Sequence, residues 1–199
     1  MPGFQEQRAI LEGWRGNQAR EHVDGQRAAL TFDDGPDPDA TPMVLDVLAD
    51  IGMEATFFMS GEQAERHPGL ARRVAQEGHE VAFHGHEHLR EPPPGDFERG
   101  LRAVEEASGR RPTRFRPPYG RVVEAELEVV LWSAWGLDWE TVGPERIAEL
   151  VVRDLEPGAI VLLHDSARYA PRASAEPTAL ALWAIADGAK QLGIELGPL

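Results

Sequence analysis

Two periods alternate along this chain. Short apolar runs, Ala28–Phe32, Ala55–Met59 and Ala159–Leu163, read as buried strands. Longer stretches with apolar positions three or four apart read as helices with one buried face. Thr41 is placed as the N-cap of a first helix with Pro42 at its first position, and Gly52 ends that helix after Ile51. A helix over Leu70–Gln76 ends at Gly78, and Glu80–Phe83 is a strand. Asp96 is placed as the cap of a helix reaching about Ser108. Arg114–Arg116 and Val129–Trp132 are short strands, and Glu145–Leu155 is helical. Thr178–Leu192 is the last helix and Ile194–Leu196 the last strand. Strands alternating with helices predict an α/β fold with a parallel sheet, either a barrel or an open doubly wound sheet. The first 26 residues read as a polar leading segment, and 27–199 as one domain.

Composition removes several function classes. The formal net charge is −14, which disfavours nucleic acid and anionic membranes as partners. There is no cysteine, so any metal site must be built from His, Asp or Glu. No apolar run is long enough to span a membrane. No glycine-rich phosphate loop opens a helix, so a nucleotide cofactor is not expected. The polar start lacks the apolar stretch of a signal peptide, so the chain reads as cytoplasmic as it stands; a trimmed leader would place it at the cell envelope or outside.

The remaining polar residues of interest follow strands: Asp33, Asp34, His84, His88, Arg116, Asp138 and His164. In a β/α barrel, the C-terminal strand ends form the active face. Four residues span about 13 Å on a strand but rise only about 6 Å on a helical turn. If His84 and His88 share a metal, the chain is therefore expected to turn helical after Phe83. Alone, the pair equally suits a solvated histidine-rich loop with His79 and His86. Asp33 and Asp34 suit a division between metal ligand and base, or an ordinary Asp-Asp-Gly-Pro turn. His164 suits a proton donor oriented by Asp138, and Arg116 suits a partner for a carboxylate; each also suits a structural salt bridge. Two His and one Asp leave an open position for water on Zn²⁺, and Co²⁺, Ni²⁺ or Mn²⁺ fit the same ligands. They also suit Fe(II) in an oxygenase, where Asp33 and His164 have no obvious task.

Five segments in order carry a family resemblance: Thr31-Phe32-Asp33-Asp34-Gly35-Pro36, Gly78-His79-Glu80 with His84 to His88, Arg116-Pro117-Pro118-Tyr119-Gly120, Asp138-Trp139, and Leu162-Leu163-His164-Asp165. Together they resemble the motifs of the NodB-type polysaccharide deacetylases, carbohydrate esterase family 4. The resemblance implies a distorted, incomplete β/α (TIM-like) barrel. It implies a divalent metal, usually zinc, on Asp34, His84 and His88, with Asp33 as base and His164 as acid. Asp138 tunes that acid and Arg116 positions the base. The Tyr119 N–H stabilises the oxyanion, and Trp139 and Leu162 shape the acetyl pocket. The implied substrate is an acetylated glycan such as chitooligosaccharide or peptidoglycan, losing an N-acetyl or O-acetyl group. Alternatives are a same-fold amide hydrolase acting on a small formamide or ureide, and an inactive glycan-binding domain. Three positions and one connection depart from the pattern. Gly85 stands where Ser or Thr is frequent, losing a side-chain brace for the loop. Phe83 replaces a frequent Asn, and Trp135 a frequent Asp. The connection from Gly120 to Val129 is short, expected to trim one barrel helix.

Overall fold

A computed structural model describes residues 19, 20, 22–121 and 125–199. Among the described residues nine strands form one sheet: β1 (Ala19–Arg20), β2 (Arg27–Asp33), β3 (Thr56–Met59), β4 (Glu80–Phe83), β5 (Arg114–Phe115), β6 (Glu128–Val130), β7 (Ala134–Trp135), β8 (Ile160–His164) and β9 (Glu195–Gly197). Six α-helices accompany them among those residues: α1 (Thr41–Ile51), α2 (Gly61–Arg66), α3 (Pro68–Gln76), α4 (Asp96–Ser108), α5 (Pro144–Asp154) and α6 (Glu176–Leu192). The strand order is β1-β6-β5-β4-β3-β2-β8-β7, with β9 also pairing β2, and every ladder is parallel. Among the described residues no ladder joins β1 to β7. The sheet curls without closing, as expected for an incomplete barrel. Just past β1, His22 bridges Ala159 and the Val23 N–H donates to the Gly158 carbonyl, which brings the two ends of the strand order near each other.

Strand pleating splits the side chains into two layers. Ala28, Leu30 and Phe32 of β2, Phe57 and Met59 of β3, Val81 and Phe83 of β4, and Val161 and Leu163 of β8 join the outer core under the helices. Phe32 stacks on Phe57 at 5.0 Å, and Phe83 meets Phe97 and Phe115 at 5.1 and 5.4 Å. Each such side chain contributes about 1.5–3 kcal/mol by leaving water. Phe83 is thus an outer-core residue, facing away from the barrel interior. Ala29, Phe58, Ala82, Ile160 and Leu162 point inward with Trp132, Trp135 and Trp139. The inward positions that end β2 and β8 are Asp33 and His164, which are direct register partners.

Several expectations change. Thr41 is the first residue of α1, not its cap; Ala40 holds that place, and the Thr41 hydroxyl instead serves Asp37 and Asp165. Asp96 likewise opens α4 behind Gly95 and makes no side-chain cap. The helix read over Leu70–Gln76 starts at Pro68, and α2 precedes it. Strand β7 carries Trp135 against Leu162. Two residues of the leading polar stretch form β1 and pair with β6. The short connection after Gly120 includes residues 122–124, which lie outside the described residues. No helix among the described residues is long and apolar enough to cross a membrane.

Candidate active site

Asp33 faces inward at the end of β2. A continued pleat would turn Asp34 away toward the helices. Asp34 instead has φ 82°, a left-handed conformation uncommon outside glycine, and its carboxylate turns back into the barrel mouth. Non-glycine residues held in this region cluster at functional sites, and Tyr119 (φ 60°) and Leu137 (φ 52°) share it here.

His84 comes directly after β4. The chain does not turn helical after Phe83; residues 84–88 form a bent loop, with Gly85 at φ 86°. This loop folds the two histidines together without a helical rise. Their rings lie 5.3 Å apart. Gly85 fits because its backbone needs positive φ. The missing side-chain brace is replaced from α2: the Gly61 and Glu62 N–H groups donate to the Gly85 and His86 carbonyls at 2.8 and 2.9 Å. The Ser60 hydroxyl also donates to His86 at 3.2 Å. Two orphan donors of a helix start thereby hold the histidine loop.

His84 Nε2 and His88 Nε2 stand 3.4 and 3.5 Å from Asp34 Oδ1. Ligands about 2.1 Å from a tetrahedral zinc are roughly 3.4 Å from each other. All three ligand atoms lie within 4.8 Å of one another. Both Asp34 oxygens are buried and lack any hydrogen-bond partner. An ionised carboxylate in that condition is costly unless a cation satisfies it. His84 Nδ1 contacts the Arg116 carbonyl at 2.7 Å. A carbonyl only accepts, so Nδ1 carries the proton and Nε2 offers its lone pair. Burial lowers the His88 imidazole to about 4, so it is neutral at neutral pH. Burial opposes the charge on Asp34, but His88, then His84 and His164, hold its carboxyl well below the usual range. Asp34, His84 and His88 therefore fit a divalent metal ion.

Arg116 is fully buried and binds Asp33 Oδ1 at 2.7 Å. It also donates to Thr31 Oγ1 and to the carbonyls of Val130 and Leu131, and lies over the Phe58 ring at 4.1 Å. The guanidinium therefore has one allowed pose and fixes one oxygen of Asp33. His164 Nδ1 meets Asp138 Oδ1 at 2.9 Å, while the His164 N–H donates to Asp138 Oδ2 at 2.8 Å. Since a carboxylate only accepts, Nδ1 is protonated and Nε2 faces the open side. Burial works against the imidazolium of His164, but Asp138 outweighs it and holds the pKa above the ordinary histidine value. Trp139 is buried edge-on to His164 at 5.5 Å, and Leu162 sits in the same inner cluster. The Tyr119 ring tilts against the His88 ring at 4.4 Å.

Other residues join the site, and apart from Asp165 of the fifth motif they carry no obvious sign in the linear sequence. Tyr169 stacks on His88 at 4.6 Å, nearly parallel to the ring. Arg172 and Thr178 bind Asp138. Asp165, next to His164, accepts from the Gly35 N–H and from the Thr41 hydroxyl at 2.5 Å, pinning the turn after Asp34. Burial pushes the Asp165 carboxyl up to about 7. The fold thus favours its protonated form. The stability this supplies is complete below about pH 4, where the unfolded chain is protonated too, and is lost as pH rises toward 7. Asp165→Asn is expected to flatten the decline in melting temperature across that window. An unchanged slope in a melting series from pH 4 to 8 would show that Asp165 does not titrate there.

Comparison with known proteins agrees with this geometry. The Polysaccharide deacetylase family profile matches residues 20–131, more than half of the chain. A chitooligosaccharide deacetylase from Bradyrhizobium sp. is 37% identical, over 89% of this chain and 91% of its own length. A peptidoglycan-N-acetylglucosamine deacetylase from Bacillus cereus is 42% identical, over 69% of this chain and 71% of its own. A second one from that organism is 36% identical over 69% of this chain, which spans only 55% of its length. Among solved structures, a peptidoglycan N-acetylglucosamine deacetylase superposes with a TM-score of 0.83 at 30% identity, covering 91% of this chain and 90% of its own. A family 4 acetyl xylan esterase from Clostridium thermocellum, solved with a cobalt ion, superposes with a TM-score of 0.77 at 28% identity, covering 86% and 87%. With its five motifs brought to one barrel mouth, the chain belongs to the polysaccharide deacetylase family, the NodB-type enzymes of carbohydrate esterase family 4.

Proposed function

We propose that this protein removes N-acetyl groups from a peptidoglycan or chitooligosaccharide chain, with zinc as its metal. The observation that carries this reading is the tetrahedral spacing of Asp34, His84 and His88, with Asp33 beside them and His164 across the β2–β8 ladder. The relatives named for peptidoglycan and chitooligosaccharide deacetylation support the substrate class.

Zinc held by these three residues supplies Lewis acidity to the acetyl carbonyl and acidity to a water. Asp33, held by Arg116, accepts the proton of the attacking water. The Tyr119 N–H donates to the oxygen that gains negative charge. Trp139 and Leu162 wall the space for the acetyl methyl. His164 enters the reaction protonated because Asp138 favours its charged form, and its Nε2 gives a proton to the departing amine. The products are acetate and a free amino sugar, with every proton accounted for by Asp33 and His164.

The test is acetate release from N-acetylated chitooligosaccharides and from peptidoglycan, with protein loaded with zinc or cobalt. Acetate is expected from at least one of the two, falling to background after chelation and returning on metal addition. If metal-loaded protein releases no acetate from either glycan, this reading fails.

A further inference from the structure

We propose that Arg172 is a positioning residue for the general acid, a clamp that holds Asp138 and His164 in one geometry. This role rests on the deacetylase reading. Arg172 lies in the loop between β8 and α6 and is only 7% exposed. Its Nη1 donates to the Asp138 carbonyl, to Thr178 Oγ1 at 2.6 Å and, at 3.4 Å, to Asp138 Oδ2. Its Nη2 donates to the carbonyls of His164 and Ser166 at 3.0 and 2.9 Å. One guanidinium therefore joins the loop after β7, the loop after β8 and the start of α6.

The hydroxyl of Thr178 completes the arrangement. Because it accepts from Arg172, its own proton goes to Asp138 Oδ2 at 2.8 Å. Asp138 then has both oxygens engaged: Oδ1 by the imidazole, Oδ2 by the His164 N–H, Thr178 and Arg172. The carboxylate cannot rotate without breaking several charge-assisted bonds. Arg172 serves a second purpose by charge. Burial opposes the charge on Asp138, but His164 and then Arg172 hold its carboxyl below the usual range, and an ionised Asp138 in turn favours protonated His164. Planar, forked donors reach three carbonyls and a carboxylate at once, which a lysine ammonium cannot reproduce. The contacts of Arg172 include none of Asp34, His84 and His88. Its effect is thus confined to the acid side of the site.

A simple loop staple would harm the whole barrel mouth; a clamp acting through His164 has no effect once His164 is gone. Arg172→Met is expected to lower kcat on an N-acetylated chitooligosaccharide by about 10-fold or more, within the roughly 10²–10⁴-fold that acid–base catalysis supplies. KM and zinc affinity, titrated on the metal-free protein, are expected to stay within about threefold, well inside the 10–100-fold that losing a metal site's supporting contacts costs. In a His164→Ala background the same substitution is expected to change kcat by less than about twofold, since residues acting as one unit are not additive. Thr178→Val, which keeps shape and removes only the hydroxyl, provides a milder variant: a smaller loss of kcat that also vanishes in the His164→Ala background. Equal losses in both backgrounds, or a fall in zinc affinity, would overturn the clamp while leaving the deacetylase reading intact. Absence of acetate release by the parent protein would overturn both.

Discussion

Asp33→Asn is expected to lower kcat by about 10²–10⁴-fold while the protein still binds its metal. The amide matches the carboxylate in size, and its oxygen can still accept from Arg116, which lies 2.7 Å from Asp33 Oδ1. It cannot take a proton from water. Asp34, His84 and His88 are untouched, so a zinc titration is expected to give an affinity near that of the parent. Stability falls as well, because Arg116 keeps a buried charge without its counter-ion. Breaking such a pair costs about 3–5 kcal/mol, against a typical total of about 5–15 kcal/mol. The variant therefore remains folded at 25 °C but melts earlier. Full activity in Asp33→Asn would remove Asp33 from the role of base. Loss of metal together with activity would move it into the ligand set.

Asp34→Asn is expected to remove zinc binding and activity together. At pH 8 the metal-free parent holds a buried carboxylate whose two oxygens have no hydrogen-bond partner. Its neighbour His88 is neutral there, with a pKa held near 4 by burial. Zinc sites use carboxylate, imidazole and thiolate ligands, and the neutral amide of Asn is not among them. Asn tolerates the left-handed backbone at this position. The zinc-dependent rise in melting temperature, which comes from binding to the folded state alone, is expected to vanish. Turnover goes with it. Calorimetry with and without zinc, beside an acetate assay, checks both; a variant whose melting temperature still rises with zinc would exclude Asp34 as a ligand.

The residues at strand ends were legible because their strands are. Short apolar runs such as Ala28–Phe32 and Ala159–Leu163 have few readings other than buried strands, and the residues just beyond them land at the barrel mouth. The failures have physical causes. Helix α2 shows no apolar stripe; its buried residues are Gly61, Gln63 and Ala64, so periodicity does not reveal it. Thr41 has the chemistry of a helix cap, but a tertiary partner, Asp165, claims its hydroxyl. The spacing of His84 and His88 suggested a helical turn because helices and extended strands are the regular options; a glycine at φ 86° supplied an irregular third. Arg172 and Thr178 looked like ordinary loop and helix residues, since a buried cation is visible only once three segments are placed around it.

The pairing of Asp33 with His164 across β2 and β8 has a consequence for any assay of this protein. Side chains on a strand change faces with every residue, so slipping this ladder by one position would send one of the two into the helical layer. A molecule misaligned by a single residue cannot keep both proton-handling groups in the mouth. At full metal loading, turnover per mole is therefore sensitive to how many molecules have their central strands correctly aligned.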